Sequence, residues 1–582
     1  MYKFLISTPL KESWKVYKNN IYLDYNTIFD KKKKNLDKRC EYLKPFATTL
    51  KERNKNEKFV NNLNKEILND LTLKLNEYHG LNLSNRCWNI ILGHCIKRII
   101  KIIFYRYKCL ENVLKSNKNL ITTASHIDEY YLNPKDSYTL EYCTHDDEWN
   151  FNLISNILRI SFNNKIKLLH HKTKNNFIKI RTNKKKKKWL NTFILNIIEK
   201  LANVFNKKNS YFIYNSYMSK FYEAKLNFFL GQIPTFKTII DYKSLNHRFD
   251  KKKREILNLK RNNVSEVESV VRMLIPKIIP SCYLENFNIL KKQVKELSWP
   301  ESPKAIITAN SYDFDEIFKI WTAFKVSKGS KYFIFQHGSL HSNYILKEMG
   351  NEYNTCDKFF YWGKKFNNKK GISAFNFKLT GKKENFEKKN EILVICKGRG
   401  HNNETYDRSY EHKIIFDNLM KFTKLLPKRI LDNTYFRVKD DTKYRRLEKN
   451  YIKSEKLNIA SHRKDIFELT KKKSLVIYFY NSTGIYENLS LNIPTMFLWA
   501  DSKNLKNKQN KDFLSFCKKN KIFHQSVEKL VDDLILKFDK IDKWWGNKEL
   551  QKSRKLICRR YSILPNDDKI FELSKKIKRA CI

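Results

Sequence analysis

Two histidines and a glycine stand at the exit of an apolar run. In "YFIFQHGSLHSNY", residues 332–344, strand-type residues give way to Gln336, His337 and Gly338, and then to His341. An imidazole titrates at about 6.5, so it can accept a proton from a hydroxyl at neutral pH. A glycine beside it lets a substrate come close to the backbone. At the carboxyl end of a strand, His337 is therefore a candidate general base. Gln336, Gly338 and His341 are candidates for contacts to the group being activated. The plainer reading is a histidine that closes the sheet edge by bonding to a neighbouring loop.

A second constellation lies in "YFYNSTGIYENLSLNIPTMFLW", residues 478–499. Asn481, Ser482, Thr483 and Gly484 leave an apolar run and open a helical pattern. Backbone N–H groups at a helix N-terminus, with hydroxyls beside them, suit a phosphate. Glu487, one turn further in, can accept both hydroxyls of a ribose. Ordinary capping accounts for the same residues and is compatible with ligand binding. Two strand ends add cations: Lys397 and Arg399 in "CKGRGHN", and Arg437 in "YFRVKD". The guanidinium fork fits phosphate, although a solvated arginine is the simpler alternative in so basic a chain.

These residues need strand ends to hold them. "YKFLIS" (2–7) and "NIYLDYN" (20–26) read as strands, with Thr8 as N-cap and Pro9 as first residue of a helix between them. Residues 58–79 and 84–116 carry helical periodicity. From 210, short apolar runs alternate with helical patterns, as a parallel sheet covered on both faces requires: "SYFIYNSY", "KAIITAN", "KYFIFQHG" and "DKFFYWG". A polar stretch after Gly371 marks a boundary, and the alternation restarts with "EILVICKGRG", "TYFRVKD", "KSLVIYFYNSTG" and "IPTMFLW". The fold class expected is α/β: two doubly wound, Rossmann-like domains facing a cleft, with helical insertions in the N-terminal half. The acceptor-side domain spans 1–380, the nucleotide-binding domain 388–540, and a helical tail 541–582 packs back across the hinge. Ligands of such sheets bind at the carboxyl ends of the strands.

Composition bounds the function classes. With 582 residues and 41% hydrophobic content, the chain has material for more than one core. Its formal net charge is +56. The excess is mostly lysine, spread from end to end alongside abundant Asn and Ile, so it reads as compositional bias and no specific nucleic-acid partner is expected. Lysine runs at 31–35 and 182–189 read as solvated loops. Peripheral contact with an acidic bilayer face is retained as an expectation. Eleven cysteines without a C-x-x-C pair exclude a disulfide or zinc framework and fit a cytoplasmic location. No signal peptide is read at the start, and the apolar stretch 87–107 is broken by Lys97, Arg98 and Lys101, so it is a core helix.

In order along the chain, "STPLKESW" (7–14), residues 75–107, "DDEWN" (146–150), "GQIP" (231–234), "FQHG" (335–338), "FFYWG" (359–363) and "ENLSLNIPT" (487–495) resemble a transferase family of bacterial surface-polysaccharide (O-antigen and capsule) gene clusters. Its relatives include capsule-type Kdo transferases and CDP-glycerol glycerophosphotransferases. The sequence departs from the family's pattern at "SLHSN" after Gly338 and at "YLDYNTIF", both on the acceptor side. The resemblance implies a GT-B-like glycosyltransferase without metal or other cofactor. His337 would be its base, with Ser482, Thr483, Gly484, Arg399 and Arg437 on the donor phosphate and Glu487 on the ribose. Asp147, in the matching "DDEWN", becomes an acceptor-side candidate. "YDFDE" (312–316) contains the Asp-x-Asp metal signature of the other glycosyltransferase fold, but reads here as a helix start. The donor implied is a nucleotide-sugar, first a CMP-linked keto-sugar acid, and the acceptor a glycan or lipid-linked glycan. The alternatives are a CDP-polyol phosphotransferase on the same fold, a scaffold that binds nucleotide without turnover, and a non-catalytic basic protein on nucleic acid or anionic membrane.

Overall fold

The computed structural model describes residues 2–15, 19–28, 44–125, 132–172, 210–234, 245, 248–338, 350–364, 369–384, 390–397, 404–438, 447–500 and 511–582. Its strands form three sheets. The first holds β1 (Lys3–Ile6), β2 (Asn20–Tyr22), β3 (Leu120–Ser125) and β4 (Ile166–His171) in the order β2-β1-β3-β4. The second holds β5 (Tyr211–Ile213), β6 (Ala305–Thr308), β7 (Lys331–Phe335), β8 (Lys358–Tyr361) and β9 (Gly371–Ser373) in sequence order. The third holds β10 (Ile392–Ile395), β11 (Thr434–Arg437), β12 (Asn458–Ile459), β13 (Leu475–Tyr478), β14 (Thr495–Leu498) and β15 (Phe523–His524). Its order, β12-β11-β10-β13-β14-β15, is that of a dinucleotide-binding sheet, which reverses between β10 and β13. All these pairings are parallel. β6, β10, β13 and β14 are buried at every residue, so both faces of their sheets must be covered.

Helices supply the cover. α1 (Leu50–His79) starts in a capping box between Thr49 and Glu52 and ends at left-handed Gly80. α2 (Asn85–Ser116) is capped by Ser84 and buries Trp88, Ile91, Ile96, Ile99 and Ile103. The cations that interrupt its apolar pattern are paired inside: Lys97 and Lys101 with Glu57 at 3.3 and 3.1 Å, and Arg98 with Glu141 and Asp313 at 3.0 and 2.8 Å. It is thus a core helix, and no described helix is long and apolar enough to cross a membrane. Further cover comes from α3 (Asp147–Ile157), α4 (Lys220–Leu230), α5 (Glu316–Val326), α6 (Arg408–Leu425), α7 (Thr483–Ser490) and α8 (Asp567–Ala580).

One continuous core joins the first sheet, α1, α2 and one face of the second sheet. The span 1–380, read from sequence as one domain with helical insertions, therefore holds two sheets around a shared core. The third sheet has a separate core on each face. After it the chain crosses back. Ile563 N donates to the Trp362 carbonyl at 2.8 Å, and Asn376 N donates to that of Ile563 at 2.9 Å. Asn376 also donates to Ser562 Oγ, which the Ser490 hydroxyl of α7 joins at 2.8 Å. Gly363 admits this crossing, because a Cβ there would overlap the Arg560 carbonyl. α8 then lies on the outer face of the second sheet, with Ile570, Leu573 and Ile577 buried against Phe333, Phe335 and Phe360.

One local reading is corrected. "TPLKESW" does not form a helix capped at Thr8 but a short 3₁₀ turn, Lys11–Ser13, preceded by Leu10. The Thr8 carbonyl instead accepts from the Trp14 indole at 2.9 Å, which folds the segment back on itself. Both lysine runs lie outside the described residues. The ten described cysteines are free, and eight of them are buried.

Candidate functional site

The carboxyl edges of the second and third sheets meet on one polar seam. On the first lip, β7 delivers Gln336 and His337. Gln336 is fully buried: its Oε1 accepts from Trp362 N at 2.9 Å, and its Nε2 donates to the Gly338 carbonyl at 2.7 Å. The Trp362 indole returns a bond to the Gln336 carbonyl at 2.6 Å. The amide is thus committed to bracing the turn that carries His337, and the acceptor-side contact expected of Gln336 is corrected to a bracing one. The register Phe335↔Phe360 makes this possible by setting the exits of β7 and β8 side by side.

His337 is largely enclosed. Its Nδ1 lies 3.0 Å from the Tyr312 hydroxyl, and the rings of Tyr312 and Tyr217 lean on it. Burial pushes its pKa down to about 4; the Lys378 ammonium acts in the same sense and Asp313 opposes. The imidazole is therefore neutral at pH 7. Either the Tyr312 hydroxyl or Nδ1–H donates in this bond, and in the tautomer that carries the proton on Nδ1, Nε2 is the acceptor a general base requires. Behind Tyr312 stacks His94, 4.7 Å between ring centroids, which burial also keeps neutral. The Asp-x-Asp segment belongs to this support. Asp313 takes both its bonds from Arg98, at 2.8 and 3.0 Å, and Asp315 caps α5 by accepting from Phe318 N. Among the described residues no group of three or more His, Cys, Asp or Glu could hold a metal ion.

The second lip is the N-terminus of α7. Ser482 is its N-cap and accepts from Gly484 N at 3.3 Å. Thr483 faces Gly338 across the seam: a Cβ on that glycine would lie 3.6 Å from Thr483 Oγ1. Gly484, a donor-side candidate, is fixed here by capping and packing. Its N–H is used by the cap, and a Cβ would overlap the Tyr478 hydroxyl. Glu487 is 7% exposed, and burial raises its pKa.

Lys378 joins the lips, and sequence reading missed it. It sits on a short 3₁₀ turn, Phe377–Leu379, just after β9. Its Nζ lies 3.5 Å from Glu487 Oε1 and about equally over the rings of Tyr217 and Trp362, at 5.3 and 5.9 Å. One ammonium thus neutralises the carboxylate of one lip and depresses the imidazole of the other. The only signal for it was "FKLTG" directly before the polar boundary.

Around the reversal point of the third sheet stand two more cations. Arg437 ends β11, in register with Ile395, and donates to the carbonyls of His462 and Lys464 at 3.4 and 3.1 Å. Its Nε is buried without a hydrogen-bond partner. Lys397, at the exit of β10, pairs with Glu411 at 3.2 Å and lies over the Tyr480 ring. Burial and Arg408 push its pKa down to about 8, with Glu411 opposing. Asp147 is not brought to this seam. It opens α3, capped by Asp146, and packs with the first sheet through β3. Arg399 and His341 lie outside the described residues.

Two parallel α/β sheets whose carboxyl edges share one seam, with a terminal helix returned to the second sheet, form the architecture that holds these residues. The family model described as LIC12162 family transferase matches residues 3–577, and the chain belongs to that family. No curated protein matches it. Among solved structures, it is similar to MurG of Acinetobacter baumannii at 10% identity, over 52% of this chain and 87% of that one, with a TM-score of 0.28. It is also similar to the wall teichoic acid polymerase TagF at 10% identity, over 68% of this chain and 98% of that one, with a TM-score of 0.31.

Proposed function

We propose that the chain is a glycosyltransferase of bacterial cell-surface polysaccharide assembly, moving a sugar from a nucleotide-activated donor to a glycan acceptor. One observation carries the reading. A neutral imidazole stands at one sheet's edge next to Gly338, which faces the helix N-terminus at the other's, and Lys378 pairs with the buried carboxylate there. In this reading Glu487 takes the ribose hydroxyls, as its buried oxygen beside the lone Lys378 suggests. Ser482, Thr483 and the N-terminus of α7 meet the phosphate, with Arg437 and Arg399 as cations. His337 accepts the proton of the attacking hydroxyl. Stabilisation of the leaving phosphate falls to fixed dipoles and cations, without a metal. The donor proposed first is a CMP-linked keto-sugar acid. The enzyme would work in the cytoplasm, in peripheral contact with the inner face of the membrane and a lipid-linked acceptor.

The test is thermal stability of the full chain with CMP, CDP, UDP, GDP or ADP, run beside Glu487→Ala. A nucleotide that binds only the folded state raises its melting temperature by mass action. One nucleotide is expected to stabilise the wild type and to lose its effect in the variant. If none acts and only polyanions bind, the transferase reading fails. Once a donor is known, phosphate retained in the product would identify a polyol phosphotransferase instead of a glycosyltransferase.

A further inference from the structure

We infer that the outer face formed by α4 and α8 is the surface by which this protein docks on an anionic bilayer. Both helices already have a buried stripe: Leu226 and Leu230 on α4, and Ile570, Leu573 and Ile577 on α8, all set into the core behind the second sheet. Phenylalanines on the opposite side contribute nothing to that core. Phe221 is 68% exposed, Phe228 71% and Phe571 45%. The sequence contains 39 phenylalanines, and these are the only ones among the described residues that stand exposed. They belong to one patch. Lys225 of α4 pairs with Asp567 of α8 at 2.9 Å, the rings of Phe229 and Phe571 meet at 5.2 Å, and Phe228 touches Phe229.

Charge decides the occupant. Lys575 lies 4.3 Å over the Phe571 ring, and Lys578 and Arg579 are exposed one turn further along α8. The carboxylates of Asp567 and Glu572 are paired with Lys225 and Lys569, so aromatic side chains flanked by the cations of Lys575, Lys578 and Arg579 suit a surface that offers acyl chains beneath acidic headgroups. The face also starts at the rim of the cleft. The residue before α4, Ser219, donates from its N–H to Thr380 Oγ1 at 2.8 Å, two positions from Lys378, and Tyr217 leans on His337. Docking there would set the cleft mouth beside the membrane, within reach of a lipid-linked acceptor. That last step rests on the transferase reading, whereas the docking itself does not.

Vesicle co-sedimentation of the full chain tests it without nucleotide or turnover, so its failure is separate from failure of the proposed activity. Vesicles of phosphatidylcholine with phosphatidylglycerol are compared with phosphatidylcholine alone, at low salt and at about 0.5 M NaCl, where lysine attraction alone is screened. The wild type is expected to bind the anionic vesicles and to keep a fraction bound at high salt. Phe221→Ser/Phe228→Ser/Phe571→Ser should lose that salt-resistant fraction by about tenfold, since it removes the inserting side chains and leaves the lysines. Leu536→Ser, which removes an equally exposed apolar residue from the third-sheet half, should behave as the wild type. Unchanged melting temperatures would show that the substitutions leave the fold intact. The inference is overturned if the triple variant keeps salt-resistant binding, or if the wild type never shows any. It is equally overturned if the wild type forms a vesicle-free dimer that the triple variant abolishes, since a second copy would then cover the face.

Discussion

The two lips of the cleft hold their polar groups in different ways. On the β7 lip every group is braced from within its own half: Gln336 by Trp362 and Gly338, and His337 by Tyr312 with His94 behind it. On the α7 lip, Glu487 is buried and its ion-pair partner is Lys378, which comes from the opposite half. A neutral, braced imidazole is ready before any ligand arrives. A carboxylate held by a borrowed cation is a place where an arriving ligand changes the balance. In the proposed function the first lip serves chemistry and the second recognition, and the two can be separated by experiment.

The largest effect expected is at His337. His337→Ala should lower turnover by about 10²–10⁴-fold, the usual worth of a positioned base. The nucleotide-induced rise in melting temperature should survive, because recognition lies on the other lip. Loss of both together would end the division of labour. Next comes Glu487→Ala. If this carboxylate holds two ribose hydroxyls, nucleotide affinity should fall about 10- to 100-fold, as befits charge-assisted bonds of about 1.5–3 kcal/mol. Calorimetric titration reads this directly. A fall in turnover with unchanged affinity would instead move Glu487 into the chemistry.

A purely structural effect ranks third. Gly363 lets the returning chain pass beneath the β8 exit, and both lips depend on that crossing through Ser490, Ser562 and Asn376. Gly363→Ala forces a methyl into the Arg560 carbonyl and should cost about 1–3 kcal/mol of stability, as overpacking does. A lowered urea midpoint would register it. An unchanged midpoint would mean that the crossing gives way easily and that the lips are less tightly coupled than their hydrogen bonds imply.

How much of this was legible in the sequence follows from the range of the forces involved. The strands around "KYFIFQHG" and "KSLVIYFYNSTG" were readable because burial on both faces forces continuous apolar runs. The start of α7 was readable because a cap is a local event, settled between Ser482 and Gly484. The role of Gln336 was not, since it depends on the register of β7 against β8. Gly363 and Gly484 look like turn glycines in sequence, but each is required by a neighbour, 197 positions away at Arg560 or across a strand-to-helix turn at Tyr478. Nor was the first sheet separable from the second, because α2 binds both into one core. Lys378 was hidden among the lysines of a +56 chain, and only the folded arrangement singles it out.

That lysine gives the finest test of the comparison, because it pairs with Glu487 on one lip and acts through its charge on His337 of the other. Its charge disfavours a second proton on His337, whose pKa burial and Lys378 together hold at about 4. A base must be neutral, so the acid limb of the rate–pH profile should lie near pH 4 in the wild type. Lys378→Met removes the cation while keeping an unbranched chain between Tyr217 and Trp362. The imidazolium then becomes easier to form, and the limb should move up, towards the ordinary imidazole value of about 6.5. Stability carries the same sign. A histidine whose folded pKa is depressed contributes stability that is lost as pH falls from about 6.5 towards about 4, and His79 and His94 act in the same sense. The variant should soften the part of this acid sensitivity that belongs to His337. If the limb stays in place while nucleotide affinity falls, Lys378 serves only Glu487, and the two lips are electrostatically independent. If the limb moves while affinity holds, the lysine tunes the base and the carboxylate manages without it. Movement of both would show that a single charge sets recognition and chemistry together.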